Sequence, residues 1–156
     1  MDVNHIGITV GDIDAAVRFY TSVFNLEVLV PPQTCTRQTA FADRRRDVFG
    51  ARWGGMRLAH LATPSGAGIE LFEFLDPPTT PPEAEFDYWR IGISHICLMV
   101  DDFDATLEKL VAAGGRKRSD VHEVVPGTRI CYCADPWGVV IEVCSGSYHH
   151  ILGLRK

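Results

Sequence analysis

The chain has 156 residues, 46% of them hydrophobic, which fits one compact domain with a sizeable core. A net charge of -5, with Arg44-Arg45-Arg46 as the only basic run, argues against nucleic acid as a partner; that run reads as a solvated loop. No apolar stretch approaches the ~18 residues of a membrane span, no signal-peptide pattern is seen, and the five cysteines are expected as free thiols of a reducing, cytoplasmic compartment.

Residues 3–10 alternate, with Ile6, Ile8 and Val10 on one side and His5, Gly7 and Thr9 on the other, which predicts a strand with one apolar face. Asp12 or Asp14 starts a helix whose stripe is Val17, Phe19, Tyr20, Val23 and Phe24 and which Asn25 can end. Leu26–Val30 reads as a second strand stopped by Pro31-Pro32. Residues 31–55 are the least regular: Thr36–Ala42 is a candidate strand, and the rest reads as loop with a short helix. Met56–Thr63 and Gly68–Leu75 are two strands joined by Pro64-Ser65-Gly66-Ala67.

Four prolines in Asp76–Glu85 exclude a regular helix or central strand, and Phe86, Tyr88 and Trp89 are expected to pin this segment to the body. Ile93–Val100 is then a strand, with Ile96, Leu98 and Val100 opposite His95, Cys97 and Met99. Asp102 or Asp104 starts a helix through Leu107, Leu110 and Val111 that Gly114-Gly115 stops. Residues 116–125 hold a short strand. Thr128–Ala134 and Val139–Cys144 form a hairpin turned by Asp135-Pro136-Trp137-Gly138, where proline fixes one φ and glycine supplies the permissive one. Cys131 and Cys133 share one strand face and read as core.

The chain repeats itself. Asn4-His5-Ile6 through Asp14-Ala15 returns ninety positions later as Ser94-His95-Ile96 through Asp104-Ala105, both copies reading His-Ile-x-x-x-Val-x-Asp-x-Asp-Ala. Each half closes on a strand glutamate, in Gly68-Ile69-Glu70-Leu71-Phe72 and in Val140-Ile141-Glu142-Val143-Cys144. The histidine and glutamate stand 65 positions apart in the first half and 47 in the second, so a surplus of 18 residues, most of it within 31–55, is extra loop. Parity puts both histidines on the side away from their own helix. Glu70 shares a side with Phe72 and Phe74, and Glu142 with Val140 and Cys144. A carboxylate on an apolar sheet face is costly unless paired, protonated or bound to a metal. Two imidazoles and two carboxylates at matching places therefore point to a divalent cation such as Zn, Ni, Co, Mn or Fe. His122, His149 and His150 are a rival cluster only if the tail folds back; His149-His150 reads as part of a flexible end.

Those residues resemble the vicinal oxygen chelate superfamily, the group of glyoxalase I, bleomycin-resistance proteins, extradiol dioxygenases and methylmalonyl-CoA epimerase. The likeness covers nearly all of residues 3–144. It rests on His5-Ile-Gly-Ile-Thr-Val with Asp14-Ala-Ala-Val-Arg-Phe-Tyr20, on His95 with Val100-Asp-Asp, and on Asp135-Pro-Trp-Gly-Val-Val-Ile-Glu142. It implies an α+β fold of two tandem βαβββ modules, at 3–75 and 91–144, with a linker at 76–90 and a tail at 145–156 in one domain. It implies a cleft around one metal held by His5, Glu70, His95 and Glu142, and commonly a homodimer. Members of the family chelate a small substrate through two vicinal oxygens, and a ligand carboxylate, here Glu142 in preference to Glu70, acts as base on the way to an enolate.

The implied function is an isomerase, epimerase or lyase on a small oxygenated substrate. The alternatives are an Fe(II) dioxygenase of the extradiol type and a metal-free drug-binding protein. Glyoxalase I proper places Arg four positions after the first ligand and Asn four after the second. Here Thr9 and Phe74 stand there, so lactoylglutathione is not expected. Phe72, Phe74, Cys97 and Met99 suggest a fairly apolar substrate; Arg37, Arg52, Arg57, His60, Arg129 and Tyr132 are the candidates for binding an acid group.

Overall fold

A computed structural model of the chain describes residues 2–154. It divides into two compact units, Met1–Pro81 and Pro82–Lys156, each with its own sheet and helix.

In the first unit, β1 (His5–Thr9) leads into α1 (Ile13–Phe24), β2 (Glu27–Thr36), α2 (Ala42–Phe49), β3 (Gly55–Ala62) and β4 (Gly68–Asp76). The sheet order is β1-β4-β3-β2, with β1 parallel to β4 and the other pairs antiparallel. Asp12 caps α1, its Oδ1 accepting from the Ala15 N–H at 2.9 Å, and Asn25 closes it in the left-handed region at φ 55. Ile13, Ala16, Phe19, Tyr20 and Val23 form the buried stripe, facing Ile8, Val10, Leu61, Ile69 and Leu71 of the core. Each large side chain buried this way contributes about 1.5–3 kcal/mol. The apolar side of β1 thus belongs to the helix, and the other side is free for chemistry.

The second unit repeats the plan with β5 (Ile96–Met99), α3 (Phe103–Ala112), β6 (Arg116–Lys117), β7 (His122–Val125), β8 (Thr128–Ala134), β9 (Val140–Cys144) and a terminal turn of helix, α4 (Tyr148–Ile151). The order is β5-β9-β8-β6, with β7 also paired to β8 and β5 parallel to β9. Asp102 caps α3 as Asp12 caps α1. The expected α+β fold with a βαβββ plan in each half is what the structure shows, the second half carrying one strand position as two short pieces.

Six local expectations need correction. Pro31 and Pro32 do not stop the second strand. β2 runs through them, because it is the edge strand and its pairing with β3 shifts register between Val28 and Val30 and again between Val30 and Gln33, where a proline removes no ladder bond. The strand proposed over 36–42 is therefore only its last residue, and Arg44-Arg45-Arg46 lies on α2 rather than in a loop. Trp89 pins nothing, being 90% exposed; Phe86 and Tyr88 pack on each other edge to face at 5.0 Å. Residues 116–125 hold two short strands, not one. Lastly, β5 begins at Ile96, so His95 stands one residue ahead of it. The surplus lies where expected: residues 37–54 separate β2 from β3, whereas only Pro126 and Gly127 separate β7 from β8.

No helix among the described residues is long and apolar enough to cross a membrane.

Candidate functional site

The register places one glutamate at the centre of each sheet. On β4, Glu70 is flanked by Gly7 of β1 and His60 of β3. His5 lies two residues before Gly7 on the same face and reaches the carboxylate diagonally, with Nε2 3.5 Å from Oε2. From the other side His60 Nδ1 stands 3.5 Å from Oε1. Asn4 Oδ1 lies 2.7 Å from His5 Nδ1, an arrangement that holds Nδ1 as the donor and turns Nε2 toward Glu70. Glycine at position 7 keeps the face open, since a Cβ there would come within 3.1 Å of the Phe72 ring. Phe72 and Phe74 continue the face beyond Glu70, stacked at 6.2 Å, and Phe49 of α2 meets both edge to face.

The second unit makes the same arrangement more tightly. On β9, Glu142 is flanked by Cys97 of β5 and Tyr132 of β8. His95 Nε2 lies 2.9 Å from Glu142 Oε2, and Ser94 Oγ lies 3.0 Å from His95 Nδ1. Every residue of β9 is buried, and Glu142 is only 7% exposed. Burial first, and the Glu142 carboxylate next, push the Cys97 thiol up to about 12 and raise the Tyr132 phenol above its ordinary value. Both neighbours therefore stay protonated at neutral pH beside Glu142.

The four residues singled out from the sequence thus form two histidine–carboxylate pairs, one in each unit. Among the described residues no three His, Cys, Asp or Glu side chains gather as a metal cluster. The pairs nevertheless fit a divalent cation chemically. Each joins an imidazole nitrogen, its other nitrogen occupied by Asn4 or Ser94, to a carboxylate set in an apolar sheet. Donors at ~2.0–2.2 Å from one Zn ion are separated by roughly the spacing seen within each pair. His122, His149 and His150 fare differently: α4 does pack against β7, so the tail folds back, yet no metal cluster results.

Of the candidates for an acid group, two are committed elsewhere. Arg57 grips Asp14 through two bonds at 2.8 and 3.1 Å and reaches Glu73 at 3.3 Å. Arg129 grips Asp104 through two bonds at 3.0 Å. These are equivalent positions of the repeat, and each guanidinium ties a helix start to the third strand of its module. Arg37 donates to the Trp53 carbonyl. Arg52 lines a cleft of about 410 Å³ with Phe49, Trp53 and Phe74, where the buried Trp53 Nε1–H has no hydrogen-bond partner. His60 and Tyr132 are the matched cross-strand neighbours of the two glutamates. Sequence reading missed Arg118, which has no motif and follows a two-residue strand. Its signal is a buried Nε–H without a partner, visible only in three dimensions.

Comparison with known proteins shows the family and the fold. The family model described as Glyoxalase/Bleomycin resistance protein/Dioxygenase superfamily matches residues 2–143. A 2-epi-5-epi-valiolone epimerase from an Actinomyces species is 31% identical over 148 residues, covering 90% of this chain and 77% of the relative. A probable lactoylglutathione lyase from Vibrio parahaemolyticus is 27% identical over 140 residues, covering 89% and 86%. The crystal structure of a glyoxalase family protein from Bacillus cereus superposes with a TM-score of 0.75 at 22% identity, covering 90% of this chain and 91% of that one. The chain belongs to the Glyoxalase/Bleomycin resistance protein/Dioxygenase superfamily.

Proposed function

We propose that His5, Glu70, His95 and Glu142 are the donors for one divalent cation, and that the protein is an isomerase, epimerase or lyase acting beside a carbonyl of a small oxygenated substrate. The observation that carries this reading is Glu142. It is a carboxyl group at 7% exposure in a fully buried strand, with His95 Nε2 2.9 Å away and two protonated groups beside it. The likeness to a relative named as an epimerase supports this class. It leaves lactoylglutathione aside, because Thr9 and Phe74 stand where the glutathione-binding Arg and Asn are expected.

The cation, when bound, supplies a Lewis acid that makes the C–H beside a carbonyl more acidic. The chain's own residues do the rest. Glu142 accepts that proton and returns it to the carbon, or to an adjacent one. Tyr132 and Cys97 flank the carboxylate from the neighbouring strands. Phe72, Phe74 and Phe49 exclude water on the first-unit face. Ser94 and Asn4 hold the two imidazoles in orientation.

Solvent exchange tests the reading. In D₂O, the metal-loaded protein should exchange the C–H next to the carbonyl of hydroxyacetone, followed by proton NMR. Glu142→Gln should slow exchange by about 10²–10⁴-fold, the range for a general base. Equal exchange by wild type and variant would refute the assignment of the base. Oxygen uptake with catechol by the Fe(II)-loaded protein would instead favour the dioxygenase class.

A further inference from the structure

The Arg118 guanidinium lines the same cleft as His95 and has no carboxylate partner among the described residues. The Arg118 backbone N–H donates to the Tyr132 carbonyl at 2.7 Å, and Ser119 Oγ accepts from the Tyr132 N–H at 3.0 Å, so the segment is fixed to the strand neighbour of Glu142. The guanidinium lies over the Tyr88 ring at 5.8 Å, and Nη2 donates to the Phe86 carbonyl at 3.3 Å. Its Nε–H is buried and has no hydrogen-bond partner, and among the described residues no carboxylate forms an ion pair with Arg118. Arg57 and Arg129 show how differently this chain treats a structural arginine, giving each a carboxylate held through two bonds.

Arg118 lines a cleft. Tyr88, Ser94, His95, Arg118, Ser119 and Tyr132 enclose about 440 Å³ within the second unit. Tyr132 stands edge to face with both Tyr88, at 6.2 Å, and His95, at 5.1 Å. Tyr88 and Tyr132 give it aromatic walls, His95 brings the imidazole paired with Glu142, and Arg118 brings a guanidinium whose Nε–H has no partner. A buried donor without a partner costs stability that a ligand oxygen recovers on binding. A planar carboxylate is the group whose geometry and charge suit a guanidinium, through short charge-assisted bonds.

We infer that Arg118 is the specificity residue for a carboxylate on the substrate, and that the substrate class is therefore a small hydroxy acid, its carboxylate on Arg118 and its carbon skeleton against the aromatic wall that Tyr88 and Tyr132 form. This rests on the reading of His95 and Glu142 as the reacting end, and it names the substrate class of that site.

The probe pair is mandelate and mandelamide, which share a ring and a 2-hydroxyl and differ in the charged group. Calorimetric titration is run on wild type, Arg118→Lys and Arg118→Gln, each metal-free and zinc-loaded, with metal content measured by elemental analysis. Wild type should prefer mandelate by about tenfold or more, the factor that one charge-assisted bond supplies. Arg118→Gln should lose that preference with its metal content unchanged. The Nε–H resonance of Arg118, identified by its absence in Arg118→Lys, should shift when mandelate is added to wild type. The wild-type preference and that resonance keep the test sound even where a variant fails to fold. Equal binding of the two probes to wild type, no binding of mandelate up to millimolar concentration, or an intact preference in Arg118→Gln overturns the inference. Absence of bound metal, with the mandelate preference retained by metal-free protein, defeats the metal reading and leaves the carboxylate site standing.

Discussion

The turn that delivers Glu142 rests on one buried carboxylate, and removing it has a calculable cost. Asp135 is fully buried at the corner of the β8–β9 hairpin. Its Oδ1 accepts from the Trp137 N–H at 2.9 Å and from the Val139 N–H at 2.8 Å, while its own backbone N–H donates to the Val139 carbonyl at 3.0 Å. Pro136 presets the turn and Gly138 adopts φ 94, where a side chain would be strained. Asp135→Ala removes these two side-chain bonds and strands two part-buried N–H groups. A hydrogen bond to a charged group is worth about 1.5–3 kcal/mol, so losing two costs roughly 3–6 kcal/mol. That is a large share of the ~5–15 kcal/mol of a typical domain. Asp135→Asn keeps an acceptor oxygen without the charge and should cost about 1–2 kcal/mol. Urea unfolding followed by tryptophan fluorescence measures both. The same turn sets the pairing of Tyr132 with Glu142, and a one-residue slip would carry Glu142 to the other face of the sheet. Asp135→Ala should therefore also lower metal uptake. A cost below about 1 kcal/mol, with metal uptake unchanged, would refute the reasoning.

Other outcomes follow from the same geometry. Arg57 hydrogen-bonds the Asp14 carboxyl and Arg129 the Asp104 carboxyl, holding each below its ordinary 3.8. The stability these clamps add is present above pH 3.8 and is lost as pH falls through the lower folded values; acid titration of Arg57→Met with Arg129→Met should show a smaller acid-induced drop than wild type. A Cβ at position 68 would lie 2.9 Å from that of His5, so Gly68→Ala should displace His5 from Glu70 and weaken metal binding measured by titration, while the circular dichroism spectrum stays native. Burial and the neighbouring Cys131 push the Cys133 thiol up to about 12. Cys131 and Cys133, both fully buried, should resist alkylation at pH 8 until the chain is unfolded in urea, as read by mass spectrometry.

Much of this architecture was legible in the sequence because a repeated motif reports on both modules at once. Strand parity gave the side on which His5 and His95 lie, and the two caps at Asp12 and Asp102 are local chemistry that any helix start displays. The turn at Asp135 is equally local. What failed to show were features set by neighbours in space. Pro31-Pro32 reads as a strand stop unless the strand is known to be an edge with shifted register. Trp89 looks like an anchor by composition alone, and the fold gives it nothing to anchor to. Arg57 and Arg129 look as available as Arg118 in one dimension. Only the structure shows that Asp14 and Asp104 occupy the first two and that Arg118 keeps a donor free. The pairing of His60 with Glu70 and of Tyr132 with Glu142 likewise needed the register.

The central claim is that the two histidine–carboxylate pairs together serve one cation. Its most direct test is metal stoichiometry by elemental analysis on protein carrying no histidine tag, for wild type and for Glu70→Gln and Glu142→Gln singly. Wild type should carry about one divalent ion per chain, and each variant should lose it or hold it markedly more weakly, since removing even a group that only supports a metal ligand costs about 10-fold or more in affinity. Wild type that takes up no divalent ion after reconstitution, or variants that hold the ion as tightly as wild type, would contradict it.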